Sequence, residues 1–276
     1  MNIETKAKSL KRLLTKAASQ HCGKIGIPLS SGVDSHCMLF AALEAGHKPT
    51  LFSFTLDDRE SRDFLRAKST AKEYALKFVP VKLPTDVNVL INDALLLCGL
   101  GCKSKTDYEC FWPMTYLIRT MSKYNIDTYF AGDGADSLYC LSRKANQHYK
   151  DREDEFRRAA FANARAFQKT LKGQYAKDHN MQYCPLFCNP AVFNLFLGTK
   201  SSEINKPKQK ILSRLAFAKE FERVQIFNHT NLQLGDSGIS KHWEKLLQTK
   251  LNGRQYKSVR GIYNHLPFLI NATKML

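Results

Sequence analysis

Between residues 24 and 136 short apolar runs alternate with segments of helical length, and this alternation constrains the fold more than any other feature. "KIGIPL" (24–29) reads as a buried strand, "PTLFSFTL" (49–56) as a second, and "KFVPVKLP" (77–84) as a third strand or extended segment. "IDTYFAGDGAD" (126–136) is a further strand that runs into a Gly/Asp loop. Between them, "SHCMLFAALEAG" (35–46) reads as a helix that Gly46 stops. "SRDFLRAKSTAKEYALKF" (61–78) offers Phe64, Leu65, Ala71 and Ala75 to one face, and "PMTYLIRTMSKYN" (113–125) follows a mixed helical stretch. Strands and helices alternating at these lengths predict βαβ units and a parallel sheet.

The flanks read differently. "MNIETKAKSLKRLLTKAASQ" is an amphipathic helix, with Ile3, Ala7, Leu10, Leu14 and Ala17 on one side and lysines on the other. Beyond about residue 141 the pattern is mainly helical, with helices expected over 152–174 and near 189–198, 207–222 and 240–250. The expected organisation is an N-terminal helix (1–23), an α/β core (24–140) and a helical, basic part of the same domain (141–276). The charge follows this division. Residues 1–140 carry 18 Lys+Arg against 15 Asp+Glu, and residues 141–276 carry 24 against 10. A net of +14 in the second half fits either a solvated basic surface or a polyanionic partner such as nucleic acid.

No apolar run approaches the roughly 20 residues of a membrane span, and the N-terminus lacks the continuous apolar core of a secretory signal. A soluble, cytoplasmic protein with no membrane partner is the expectation. The eight cysteines then read as buried thiols rather than disulfides. Cys98–Cys102 and Cys184–Cys188 share a Cys-x3-Cys spacing that zinc would tolerate, with Cys110 near the first pair. Their Leu, Phe and Gly neighbours favour core positions.

Ligands of open parallel sheets bind beyond the carboxyl ends of the strands, and two loops occupy that position. The first is Ser30-Ser31-Gly32-Val33-Asp34-Ser35, which reads as an ordinary turn or as a phosphate cradle at a helix N-terminus. The second is "AGDGADS" (131–137), with Asp133 and Asp136 three residues apart. Carboxylates beside a phosphate site suggest a bridging Mg²⁺. No Walker-type P-loop occurs. His36, inside the expected helix, reads as a packing or surface residue. Asp57 and Asp58 could approach a nucleotide or cap the next helix.

"SSGVDS" resembles the S-G-G-[VL]-D-S pyrophosphate loop of the ATP-pyrophosphatase (PP-loop) superfamily, which splits ATP into AMP and pyrophosphate. "AGDGADSLY" is similar to the S-G-E-G-A-D-E-L-F of the synthetase domain of asparagine synthetases and their β-lactam-synthetase relatives. "YCPLFCNPAVFNLFL" (183–197) and "INKPKQKILSR" (204–214) are similar to that family's R-V-P-F-L-D stretch and its basic K-x-x-L-R segment. The resemblance runs in order from about residue 24 to at least 240. It implies an adenine-nucleotide alpha-hydrolase-like (HUP) α/β fold, a parallel sheet flanked by helices with a mainly helical C-terminal region.

The resemblance also implies a site. Ser30, Ser31, Gly32, Asp34 and Ser35 fall on the pyrophosphate loop, and Leu29, Ala131 and Gly132 near backbone that holds adenosine. Asp34 and Asp136 fall on Mg²⁺ ligands, Asp133 on the glutamate of the adenylation step, and Lys210 on the lysine that contacts pyrophosphate. ATP and Mg²⁺ are the expected cofactors. Four positions depart from the family: Ser31 stands for a glycine, Asp133 is one methylene shorter than Glu, Ser137 replaces a second acid, and Cys188 stands where Asp is frequent. These suggest an acceptor other than aspartate, or impaired catalysis. With the pyrophosphate loop starting by residue 30, no glutaminase domain is expected ahead of it. The nitrogen would come from free ammonia, a separate glutaminase, or an amine on the second substrate. The reaction expected is adenylation of a carboxylate or amide oxygen of a small acceptor, with displacement of AMP by ammonia or an amine. The alternatives are a PP-loop enzyme acting on a base in tRNA or DNA, and a nucleotide-binding protein without turnover.

Overall fold

The computed structural model describes residues 2–162, 170–226, 235–251 and 253–273. Helix α1 (Ile3–Ser19) leads into strand β1 (Ile25–Pro28), α2 (Val33–Glu44), β2 (Thr50–Leu56), α3 (Arg62–Glu73) and β3 (Phe78–Leu83). Then come α4 (Val87–Gly99), α5 (Lys105–Lys123), β4 (Thr128–Ala131), α6 (Ala135–Leu138), α7 (Arg143–His148), α8 (Glu153–Ala162) and α9 (Leu171–Asp178). After β5 (Gln182–Pro185) follow α10 (Pro190–Phe196), α11 (Ser201–Ile204), α12 (Ile211–Ala216), α13 (Ala218–Glu222) and α14 (Ile239–Trp243). A short antiparallel pair, β6 (Lys250–Leu251) and β7 (Arg254–Gln255), precedes α15 (Val259–Thr273).

Among the described residues the main sheet has five parallel strands in the order β3-β2-β1-β4-β5. Parallel neighbours need a crossover, usually a helix, and sheets built this way are covered on both faces. The packing follows. On one face α1, α2, α10 and α12 bury Leu10, Leu14, Leu39, Phe40, Phe196 and Leu212 with Ile25, Ile27 and Phe130 of the sheet. On the other, α4, α5, α9, α14 and α15 bury Leu90, Trp112, Ile118, Tyr175, Trp243 and Ile262 with Phe52, Val81 and Tyr129. Strand order reverses between β1 and β4, the place where open α/β sheets leave a crevice.

The parallel α/β architecture agrees with the alternation in the sequence, and α1 buries Ala7, Leu10, Leu14 and Ala17 as its pattern requires. Its N-terminus is capped by Asn2, which accepts from the Thr5 N–H at 2.8 Å. Three local expectations change. The second half, expected to be mainly helical, also supplies strand β5, whose four residues are too few to establish a period and end in Pro185. The helix expected over 207–222 begins only at Ile211, after Lys210 in a left-handed conformation (φ 60°), and divides at Phe217 into α12 and α13. The segment near 240–250 is α14, a 3₁₀ turn (Glu244–Gln248) and the start of β6. Residues 163–169 of the helix expected over 152–174 lie outside the described residues. No described helix is long and apolar enough to cross a membrane.

Candidate active site

A cleft of about 400 Å³ opens at the carboxyl ends of β1 and β4. Leu29, Ser30, Asp34 and Ser35 line it from the first loop, Ala131, Gly132, Asp133, Asp136 and Ser137 from the second. The two loops touch because Gly132 has no side chain: a Cβ there would lie 2.9 Å from Asp34 Cβ and 3.1 Å from its carbonyl carbon. Gly134 turns the second loop at φ 93°, where L side chains are strained and where a Cβ would also meet Cys188 Sγ at 2.6 Å.

The first loop is held from inside. The Ser30 N–H donates to Ser35 Oγ at 3.2 Å and the Gly32 N–H to Ser30 Oγ at 3.1 Å. The Ser31 N–H donates to Asp63 Oδ1 at 2.7 Å, and the Ser31 hydroxyl donates to the same oxygen. Ser31 is fully buried, and neither it nor Gly32 lines the cleft. The serine in the family's glycine position therefore adds no side chain to the cleft lining. Its hydroxyl is turned toward α3 and tied there. Asp63 is a site residue that motif reading missed, because it lies 32 residues away in an ordinary helix N-terminus. The α3 N-terminus is itself fixed by Ser61, whose Oγ accepts from the Phe64 N–H, and by Asp236, which accepts from the backbone of Arg62 and Asp63.

The Ser30, Ser31 and Gly32 amides are occupied internally, which leaves the first turn of α2 as the part of this loop with uncapped N–H groups. No side chain caps it at Gly32, and uncapped N–H groups with the helix dipole favour anions. His36 supports this turn from beneath. Its Nδ1–H donates to the Gly32 carbonyl at 2.9 Å, so Nε2 accepts from Thr70 Oγ1 at 3.1 Å. Burial depresses its pKa to about 4, partly countered by the Gly32 hydrogen bond. His36 is a neutral packing residue, as its helical position suggested.

Asp34, Asp136 and Lys210 converge from three elements. The Lys210 Nζ lies 2.5 Å from Asp34 Oδ2 and 2.7 Å from Asp136 Oδ1, with its side chain 4% exposed. Burial pulls the ammonium pKa down, but the two carboxylates outweigh burial and the pKa is raised. Lys210 reaches this position from a left-handed backbone, pinned where its N–H donates to Asn205 Oδ1 at 3.2 Å. Asn205 in turn donates to the Tyr139 carbonyl at 2.9 Å. Such a conformation costs a non-glycine residue about 1–2 kcal/mol and persists where surroundings enforce it.

Asp133, three residues before Asp136, faces a different lysine. Its Oδ1 accepts from Lys172 Nζ at 2.7 Å and its Oδ2 from the Tyr183 hydroxyl at 2.6 Å. Burial raises its pKa, but Lys172 and Tyr183 prevail and hold it below the usual range, as a carboxylate. Cys188 donates its S–H to the Asp133 carbonyl at 3.4 Å, and burial pushes that thiol well up, so the position carries no charge.

Leu29 and Ala131 sit at the ends of their strands, with the Leu29 N–H bonded to the Phe52 carbonyl. Both line the cleft with Phe52, Ser53 and Phe54 of β2. Asp57 and Asp58 stay out of it. They line a separate cavity of about 1030 Å³ between α3 and the β3 edge, with Asp57 3.6 Å from Lys82. All eight cysteines are free. Among the described residues no three His, Cys, Asp or Glu side chains form a metal-holding group, the Cys-x3-Cys pairs included. Two hard oxygen ligands do converge, since Asp34 and Asp136 flank one ammonium. A pair of carboxylates, with phosphate and water completing the shell, is the donor set Mg²⁺ takes at nucleotide sites.

A family model described as asparagine synthase matches residues 9–238, most of the chain and all of this geometry. The chain belongs to the asparagine synthase family. As a family member it is an ATP-dependent synthetase of the PP-loop type. No curated protein matches the sequence. The asparagine synthase match begins within α1, at residue 9, and the apolar face of α1 packs on α2 and α12 as part of the same body.

Proposed function

We propose that the protein cleaves ATP to AMP and pyrophosphate, adenylating an oxygen of a small acceptor that ammonia or an amine then converts to an amide. The observation that carries this reading is the meeting of Asp34, Asp136 and Lys210 over the uncapped first turn of α2. The β- and γ-phosphates would lie on that turn beside the Ser30 and Ser35 hydroxyls, with adenosine along Leu29, Ala131 and Gly132. Asp34 and Asp136 would hold Mg²⁺, which when bound neutralises charge on the departing pyrophosphate. Lys210 remains protonated and supplies a fixed, desolvated positive charge at the same place. The acceptor oxygen attacks the α-phosphorus and the bond to the β-phosphoryl oxygen breaks, releasing pyrophosphate. The nitrogen nucleophile then attacks the activated carbon, AMP leaves, and the nitrogen loses a proton. Asp133, ionised and doubly bonded, orients Lys172 and Tyr183 rather than donating a proton.

Isotope exchange between ATP and pyrophosphate, assayed over a panel of acids with Mg²⁺, tests this directly. Acid-dependent exchange is the expected result, and no exchange with any acid counts against the reading. The nitrogen donor is free ammonia, a separate glutaminase or an amine substrate. Adding glutamine with and without a cell extract separates these sources. Free cysteines throughout suit the reducing cytoplasm, where we place the protein. The net +14 of residues 141–276 supports a second reading, in which the acceptor is a base in nucleic acid. Binding to RNA or DNA that weakens steeply with salt would favour it, and a slope near zero would not.

A further inference from the structure

Each charged residue of the Asp34, Asp136 and Lys210 cluster stands three positions ahead of a buried, uncharged one. Cys37 follows Asp34 on α2, Tyr139 follows Asp136 at the end of α6, and Ser213 follows Lys210 on α12. All three are fully buried. Residues three apart on a helix share a face, so the second group meets where the first does, one turn further along. The Tyr139 and Ser213 hydroxyls are 2.7 Å apart, and the Ser213 N–H donates to the Tyr139 hydroxyl at 2.9 Å. The Cys37 thiol adjoins Ser213. Burial pushes the Tyr139 phenol well above its usual range, so it stays a neutral hydrogen-bonding group.

Lys210 stands immediately before α12 in a left-handed conformation, and no side chain caps the helix from that position. The first amides of a helix have no partner within it and are costly to bury without one. Tyr139 supplies an acceptor to the Ser213 amide from another element. The same residue holds Lys210 from the other side. Its carbonyl accepts from Asn205 Nδ2 at 2.9 Å, and Asn205 Oδ1 accepts the Lys210 N–H. Tyr139 thus grips the chain both before and after Lys210. Its own N–H donates to the Ala135 carbonyl at 3.0 Å, in the helix that carries Asp136. In the family stretches S-G-E-G-A-D-E-L-F and K-x-x-L-R the positions of Tyr139 and Ser213 are Phe and Leu, a pair without hydroxyls.

We propose that Tyr139 is a positioning residue of this site, and that its hydroxyl, paired with Ser213, sets where the Lys210 ammonium stands against Asp34 and Asp136. The proposal rests on the nucleotide reading for its consequence alone, that a displaced Lys210 binds pyrophosphate more weakly. Without the hydroxyl, the Ser213 N–H loses this acceptor in a fully buried place. The first turn of α12 then relaxes toward an arrangement that satisfies the amide, and the left-handed Lys210 backbone is released with it. The ammonium moves with that backbone, while Asp34 and Asp136 stay on other elements.

The test treats the full chain, without nucleotide, with trace acetic anhydride and reads each lysine by peptide mass spectrometry. In Tyr139→Phe, Lys210 should be acetylated at least about fivefold faster than in the parent, because the amine leaves its two carboxylates more often. Lys172, paired with Asp133 of the same loop, should change by less than about twofold, which separates a local shift from general loosening. Ser213→Ala keeps the amide bond to Tyr139 and should give about a twofold increase, and combining it with Tyr139→Phe should add nothing further. Unchanged Lys210 labelling in Tyr139→Phe, equal acceleration of Lys172, or independent effects of the two substitutions overturns the proposal. If Tyr139→Phe does not fold, Ser213→Ala decides alone, and unchanged Lys210 labelling in it has the same force. Calorimetric titration with magnesium pyrophosphate reads the consequence, and Tyr139→Phe should bind it about tenfold more weakly. Faster labelling with unchanged pyrophosphate affinity overturns the role in the site. If the parent itself does not bind magnesium pyrophosphate, the nucleotide reading falls, and the labelling alone decides whether Tyr139 positions Lys210.

Discussion

Asp133 and Asp136 leave the same loop three residues apart, yet they serve different electrostatic environments. Asp136 joins Asp34 on one deeply buried lysine, two carboxylates to one ammonium. Asp133 pairs one-to-one with Lys172, and both side chains are about 30% exposed, at 30% and 28%. The first cluster has surplus negative charge and so is suited to a divalent cation. The second is balanced and more accessible. The spacing of the two aspartates contains no hint of this division. It arises because α12 brings Lys210 to one side of the loop and α9 brings Lys172 to the other.

The largest expected effect lies in the surplus cluster. Asp34→Asn should reduce ATP–pyrophosphate exchange by about 1000-fold, since it removes a metal ligand and half of the charge opposing Lys210. Asp133→Asn should cost about 10- to 100-fold, mostly in the KM for the acceptor with that for ATP little changed. Equal losses in both variants, or an Asp133→Asn effect on ATP, would break the contrast between the two sides.

Next comes pH. His36 titrates near 6.5 in the unfolded chain and at about 4 when buried, so the unfolded state takes up the proton first. Stability is full above about pH 6.5 and falls by roughly 1.4 kcal/mol per pH unit toward about pH 4. His242, stacked on Trp112 and also depressed to about 4 by burial, acts in the same direction on the opposite face of the sheet. Denaturant unfolding of His36→Asn between pH 7 and 4 should show a shallower dependence than the parent. Lys210 has the opposite sign: its raised pKa stabilises below about pH 10.5 and the contribution is lost as pH rises through the folded value.

Smaller effects concern the pyrophosphate loop. Asp63→Ala frees the Ser31 amide and hydroxyl, and should weaken binding of Mg·α,β-methylene-ATP about tenfold by loosening the loop. Ser31→Gly keeps the amide bond to Asp63, and should change that affinity by less than about threefold. A large gain in affinity for Ser31→Gly would mean that the serine obstructs phosphate after all. Calorimetric titration of both variants decides between these outcomes.

The loop stretch "SSGVDS", the second stretch "AGDGADS" and the alternation around them placed the crevice, the sheet and the order of the motifs. Local sequence suffices for these because strands, crossover helices and glycine-dependent turns depend on short-range pattern and backbone sterics. The family glycine replaced by Ser31 was visible too, but not its consequence: the direction of its hydroxyl depends on Asp63, on another helix. β5 was obscured because a four-residue strand beside β4 has no period of its own to read. The identity of each aspartate's partner also lay beyond the sequence, since Lys210 and Lys172 stand 176 and 39 residues from the carboxylates they meet. What the sequence alone determined is which chemical groups the chain owns and the turns that expose them. Only the tertiary structure decided which cation stands beside which carboxylate and how much water remains between them, and the strength of a charge interaction is set by that distance and dielectric.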